Sequence, residues 1–153
     1  MRYLVGVGNY LRSDDGVGVW VVSYVVDHGL DQGFVALDLG TRSLDLVHYF
    51  TPECDRMVIV DCAFMGLAAG ESRLFEAAAV TSVKPAGSVS THEGDILKVV
   101  ELARTLGMPV PHLRVLGIEP GSCDEGMNLS AALAAKLPSY AEDAIRHLTQ
   151  DAC

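Results

Sequence analysis

Residues 6–18 read GVGNYLRSDDGVG, and the way this stretch joins an apolar strand to a helical segment decides the fold. Residues 3–7 are an apolar run of strand length. From Ser13 or Asp14, either of which can cap a helix, the chain runs to about Asp27 with Val17, Trp20, Val21, Tyr24 and Val25 at helical spacing. Strand, glycine turn and helix in that order open an α/β domain. The turn begins as a nucleotide-binding loop would, but Gly6 and Gly8 need a third glycine at position 11, which is Leu11. Asp14 and Asp15 then stand at the helix entrance, where they would repel a phosphate. A metal cation suits that entrance better than an anion does.

Working outward, the same alternation continues. Residues 34–39 form a second strand, leading through Gly40-Thr41 into a short helix whose Leu44, Val47 and His48 recur with helical period. Residues 57–60 make a third strand that terminates at Asp61. In residues 72–76, Leu74 lies in a short run flanked by the charged and polar residues Ser72, Arg73 and Glu76, the pattern of an exposed edge strand. After a connection over 77–90, Ser90-Thr91-His92-Glu93 matches a capping box that opens a helix to about Leu106, with Ile96, Val99, Val100 and Ala103 as its core stripe. Residues 113–118 are a last apolar strand, followed by the turn Glu119-Pro120-Gly121. A helical stretch over 130–148 closes the chain, and Pro138 within it must kink the helix or begin a second segment. No internal repeat or linker interrupts the 153 residues, which read as one domain, 1–153.

Composition bounds the functions open to such a domain. Half the residues are hydrophobic and the mean hydropathy is +0.28, which suits a parallel sheet covered on both faces. The longest nearly uncharged apolar run, residues 16–26, falls short of the about 20 residues a membrane helix needs. No cleavage-site pattern follows the N-terminal apolar stretch, so the expected setting is the cytoplasm, as a monomer, away from membranes. Twenty acidic against 11 basic residues give a net charge of −9 without a Lys/Arg cluster, which excludes nucleic acid as a partner and favours a neutral or basic protein surface. The four cysteines form no Cys-x-x-Cys pair, so neither a disulfide framework nor a thiolate zinc site is indicated, and Cys62 reads as a small buried thiol.

In open α/β sheets, ligands collect beyond the carboxyl ends of the strands. Three candidates fall there: Asp15 in the first strand-to-helix loop, Asp61 ending the third strand, and His92 starting the helix after the long connection. Two carboxylates and an imidazole suit a first-row divalent metal with positions left open for water or substrate. Each has an ordinary alternative. Asp15 can serve the helix dipole, Asp61 can be a structural buried carboxylate, and His92 can sit on the surface beside the cap. Asp38, before Gly40-Thr41, can cap the following helix or act directly in the cleft. Asp14 reads as the N-cap, which frees Asp15 to point at the cleft.

The segments GVGNYLRSDDGVGV, LDLGT, VIVDCA, STHEGD and VLGIEP, in this order, resemble those of the hydrogenase maturation endopeptidases. The resemblance covers most of the chain. It implies a three-layer α/β/α sandwich around a twisted, mostly parallel five-stranded sheet with one antiparallel strand. It also implies an endopeptidase that removes the C-terminal extension of a nickel-iron hydrogenase large-subunit precursor after nickel has been inserted. By the resemblance the metal ligands are Asp15, Asp61 and His92, with nickel supplied by the precursor and other divalent metals able to substitute. Relatives often carry glutamate at the first position, so Asp15 is one methylene shorter, and Asp38 matches an acidic position near the cleft. Two rivals remain open: a zinc-type peptidase or amidase with its own bound metal, and a non-catalytic metal-dependent chaperone of the immature large subunit.

Overall fold

A computed structural model describes residues 1–77 and 93–150, with backbone only at 93–95. Five strands, β1 (Arg2–Val7), β2 (Val35–Gly40), β3 (Arg56–Cys62), β4 (Ser72–Glu76) and β5 (His112–Ile118), form one sheet in the order β2-β1-β3-β5-β4. The three inner strands are mutually parallel, and β2 joins them parallel at one edge. The run 72–76 is the other edge, as its half-polar pattern predicts, and pairs antiparallel with β5, the one antiparallel strand that the resemblance implies. The central strand β3 is buried from Met57 through Cys62, the continuous apolar pattern of a strand covered on both faces.

Among the described residues, three α-helices cover the sheet: α1 (Val17–Asp27), α2 (Glu93–Thr105) and α3 (Ala131–Thr149). On one face, α1 and α3 pack on Leu4, Val58, Val60, Leu116 and Ile118. On the other, α2 and the segment Ser43–Tyr49 pack on Val5, Val7, Met57, Ile59 and Val115. The outcome is the expected three-layer α/β/α sandwich. The stripe Ile96, Val99, Val100 and Ala103 is buried as its spacing requires. The box Ser90–Glu93, including His92, lies outside the residues described in full.

The structure corrects four local expectations. Asp14 does not cap α1: Ser13–Gly16 is a separate 3-10 turn, and α1 begins after Gly16 without a side-chain cap. The buried stripe of α1 is Val17, Gly18, Val21, Val22 and Val25, with Trp20 and Tyr24 at its margin. Gly18 explains the rotation. A β-carbon there would lie 2.1 Å from the Val60 carbonyl oxygen and 2.6 Å from that of Val7, so the helix presses its bare backbone onto β1 and β3. Ser43–Tyr49 is a 3-10 helix, whose three-residue period turns Ser43, Leu46 and Tyr49 inward and leaves Leu44 and His48 exposed. Pro138 lies inside one continuous α3, on an exposed position, rather than opening a second segment.

Candidate functional site

At the carboxyl ends of the strands, Gly8 turns the chain away from β1 at φ +132°, where a β-carbon would collide with the Asp15 carbonyl oxygen. The turn is held by the Gly8 N–H donating to the Gly40 carbonyl at 2.8 Å and by the Asn9 N–H donating to Asp15 Oδ2 at 3.1 Å. Asp14 and Asp15 are both buried, 0% and 4% exposed, yet they face different partners. Asp14 is enclosed by the segment after β5. Its Oδ2 accepts the Gly121 and Ser122 N–H groups and the Ser130 hydroxyl at 2.7–3.0 Å, and its Oδ1 accepts the Ser130 N–H at 2.7 Å. Ser130 is the N-cap of α3, so one buried carboxylate fixes the 121–130 segment and the start of the last helix together.

Further bonds stitch these segments. Ser13 N–H donates to Gly126, Asp14 N–H to Ser122 and Gly126 N–H to Leu11, and the Ser13 hydroxyl reaches the Asp124 carbonyl at 2.9 Å. Ser13 sits at φ +51°, a left-handed conformation that a non-glycine residue holds only where its surroundings impose it. The result places Cys123, distant in sequence, against the first loop.

Asp61 and Cys62 end β3. Alternation along the strand puts Asp61 on the α2 side, with Met57 and Ile59, and Cys62 on the α1 and α3 side, with Val58 and Val60. Both are 1% exposed. Cys62 Sγ lies 4.0 Å from Cys123 Sγ, and one oxygen of Asp15 with these two sulfurs forms a set of donor atoms all within 4.8 Å of one another. Burial pushes the Cys62 thiol far up, and the charges of Asp61 and Asp15 push it the same way. Burial also raises Cys123. Both carboxylates are therefore near neighbours of one sulfur, and that sulfur is held as a neutral thiol, the reverse of an activated nucleophile.

Of the residues expected in the site, Asp15 and Asp61 are both buried at the carboxyl ends of the neighbouring strands β1 and β3, Asp15 beside Cys62 and Asp61 on the opposite face of β3 from that sulfur. His92 lies outside the described residues. Asp38 stands apart on the exposed end of the edge strand β2, where its Oδ1 accepts the Gly40 N–H at 2.9 Å; it closes its own turn and caps no helix. It borders an open cleft of about 430 Å³ that Gly8, Asn9 and Tyr10 also line, and so faces the Asp15 turn from the side. Two functional features escape sequence reasoning. The Cys62–Cys123 pair carries no signal, since the two residues are 61 positions apart and adjacent only across the β5 exit. Glu119 reads as turn in the sequence, but it is 5% exposed, and its Oε1 accepts the Met65 and Leu67 N–H groups at 2.8 and 2.7 Å, fixing the loop that leaves β3.

Comparison with known proteins identifies the family and the fold. The family model for hydrogenase maturation protease matches residues 19–147. The chain belongs to that family. It is 30% identical over 147 residues to a hydrogenase expression/formation protein HupD of Rhizobium leguminosarum bv. viciae, covering 95% of this chain and 72% of the relative. It is 31% identical to the HupD of Bradyrhizobium diazoefficiens over 76% of this chain and 61% of that protein. The curated relatives are thus longer than the part this chain spans. Among solved structures, the [NiFe] hydrogenase maturation protease HybD of Thermococcus kodakarensis superposes with a TM-score of 0.79 at 25% identity, over 97% of this chain and 100% of that one. The maturating endopeptidase HybD of E. coli shares the fold, with a TM-score of 0.78 at 23% identity over 96% and 91% of the two chains. The expectation of a maturation protease on a mixed five-stranded sheet therefore holds. No helix among the described residues is long and apolar enough to cross a membrane.

Proposed function

We propose that this chain is an endopeptidase that cuts the C-terminal extension from the large-subunit precursor of a nickel-iron hydrogenase after nickel insertion, and that the precursor's nickel is the mark it reads. The observation that supports the reading is the burial of two carboxylates, Asp15 in the loop after β1 and Asp61 at the end of the neighbouring strand β3. Like charges brought together out of water are stabilised by a cation between them. His92, which precedes α2 in the sequence, completes the ligand set in this proposal. Nickel so held polarises the scissile carbonyl or lowers the pKa of a water for attack. Asp38, exposed in the adjoining cleft, or Asp14 is the accessory group for proton transfer in this proposal. The raised, buried Cys62 argues against an acyl-enzyme route. The chain acts as a cytoplasmic monomer in this scheme, on a neutral or basic stretch of precursor that complements its charge of −9.

The test is incubation of the purified chain with nickel-loaded precursor, reading the released C-terminal peptide by mass spectrometry. Release by the parent and its loss in Asp61→Ala and His92→Ala are expected. Binding without release overturns the reading in favour of a non-catalytic chaperone. Activity that a chelator removes from the enzyme alone, and that zinc restores, overturns it in favour of a peptidase with a resident metal.

A further inference from the structure

We infer that Asp15, Cys62 and Cys123 form a second metal site, selective for a thiophilic d10 cation of the zinc class, on the α1 and α3 side of the strand ends. Three observations carry it. The sulfurs lie 4.0 Å apart, and two thiolates on a tetrahedral zinc, each at about 2.3 Å, are separated by about 3.8 Å. A carboxylate oxygen of Asp15 and the two sulfurs all lie within 4.8 Å of one another, so three donors are gathered within the reach of one cation. Of the three segments that carry them, the Asp15 loop and the Cys123 segment are joined by the Asp14 bonds to Gly121, Ser122 and Ser130, and Cys62 is fixed by the ladder of β3, so the geometry is held before any ion arrives.

The donor chemistry sets the selectivity. Two sulfurs and one carboxylate favour zinc, cadmium or copper(I) over the hard divalent cations. Binding replaces each S–H bond by a sulfur–metal bond and releases both protons to solvent, so a divalent cation leaves a complex of net charge −1 with the Asp15 carboxylate. Cys62 and Asp61 point to opposite faces of β3, which makes this site distinct from one built on Asp61, with Asp15 shared between them. Where the proposed processing reaction holds, a cation bound here withdraws Asp15 from the substrate's nickel and inhibits cleavage. That consequence alone rests on the proposed function; the site itself does not.

The experiment titrates the full, reduced, metal-free chain with cadmium and follows the ultraviolet charge-transfer absorption of cadmium–thiolate bonds, with no precursor present. One equivalent is expected to saturate a band matching two sulfur ligands. Cys123→Ser, at a half-buried loop position, is expected to halve the band and weaken binding by more than about tenfold, since even outer-shell losses cost 10–100-fold. Cys62→Ala serves as the second sulfur variant, with circular dichroism to establish its fold, and Cys54→Ser is expected to leave the band unchanged. A band undiminished by Cys123→Ser, or one that follows Cys54, overturns the inference. So does reduced protein that gives no band while unreduced protein carries a Cys62–Cys123 disulfide, which would make the pair a redox couple. A chain that shows the band with cadmium, yet in its metal-free form leaves the nickel-loaded precursor uncut, refutes the proposed function and leaves this site standing; a chain that cuts without ever giving the band does the reverse.

Discussion

Replacing Asp14 by alanine tests how the site is built. Its carboxylate is fully buried and accepts bonds from Gly121, Ser122 and, twice, Ser130. A hydrogen bond to a charged group contributes about 1.5–3 kcal/mol, and a donor left without its acceptor costs about 1–3 kcal/mol. Gly121 is exposed, and Ser122 and Ser130 are half-buried, so water recovers part of the loss. The expected destabilisation is about 3–5 kcal/mol, a large share of the roughly 5–15 kcal/mol that holds a domain folded. With a urea slope near 2 kcal/mol per molar, the unfolding midpoint falls by about 2 M. Asp14→Asn separates the contributions. Its amide oxygen can keep the three donors that meet Oδ2, while its NH₂ group opposes the Ser130 N–H, so about 1–2 kcal/mol is lost. Equilibrium urea unfolding with slopes compared across the three proteins is the assay. An alanine variant within about 1 kcal/mol of the parent at unchanged slope would refute the role assigned to Asp14.

Other positions give independent tests. Tyr140 donates its hydroxyl to the Gly70 carbonyl, and burial raises its pKa from 10.0 to about 12. The folded state therefore prefers the protonated phenol: this contribution is fully present below about pH 10 and is lost as pH rises toward about 12. Urea midpoints of the parent should fall over that window more steeply than those of Tyr140→Phe, and parallel curves would contradict the assignment. Glu119→Ala strands the Met65 and Leu67 N–H groups and should cost about 2–4 kcal/mol, with faster hydrogen exchange at those two amides, whereas Glu119→Gln keeps an acceptor and costs less. Unchanged exchange in the alanine variant would show that the loop is held by other bonds. Gly18→Ala forces a β-carbon onto the Val60 carbonyl and should cost about 3 kcal/mol or more. A variant that melts with the parent would mean that α1 can lift off β3 freely.

The sequence is most legible where one period governs a whole element. The apolar run ending at Asp61, the half-polar run 72–76 and the Ile96 to Ala103 stripe each state a strand or helix and its buried face, and the structure carries all three. Legibility fails where a second interaction outweighs period. Large side chains suggest one stripe for α1, but the helix is set by Gly18, whose contribution is the absence of a side chain. The Ser43–Tyr49 segment follows a period of three, which a template of 3.6 misassigns. In the site, Asp15 and Asp61 are legible because carboxylates at strand ends stand out against apolar runs. Asp14 and Glu119 are not, because each serves a segment far along the chain, Asp14 reaching Ser130 and Glu119 reaching Met65. The Cys62–Cys123 contact depends wholly on the path of the chain after β5, for which no local pattern exists.

The order of the sheet gives this arrangement a temporal meaning. Asp15 follows β1, Asp61 and Cys62 end β3, and Cys123 follows β5, and these three strands lie side by side in the middle of the sheet. A nascent chain that has made only β1 through β3 holds the carboxylates and one sulfur, but not the segment that braces the first loop through Asp14. Pairing of β5 with β3, among the last contacts synthesis allows, supplies that brace and the second sulfur in one step. The full donor set of the inferred metal site therefore exists only once the sheet is assembled.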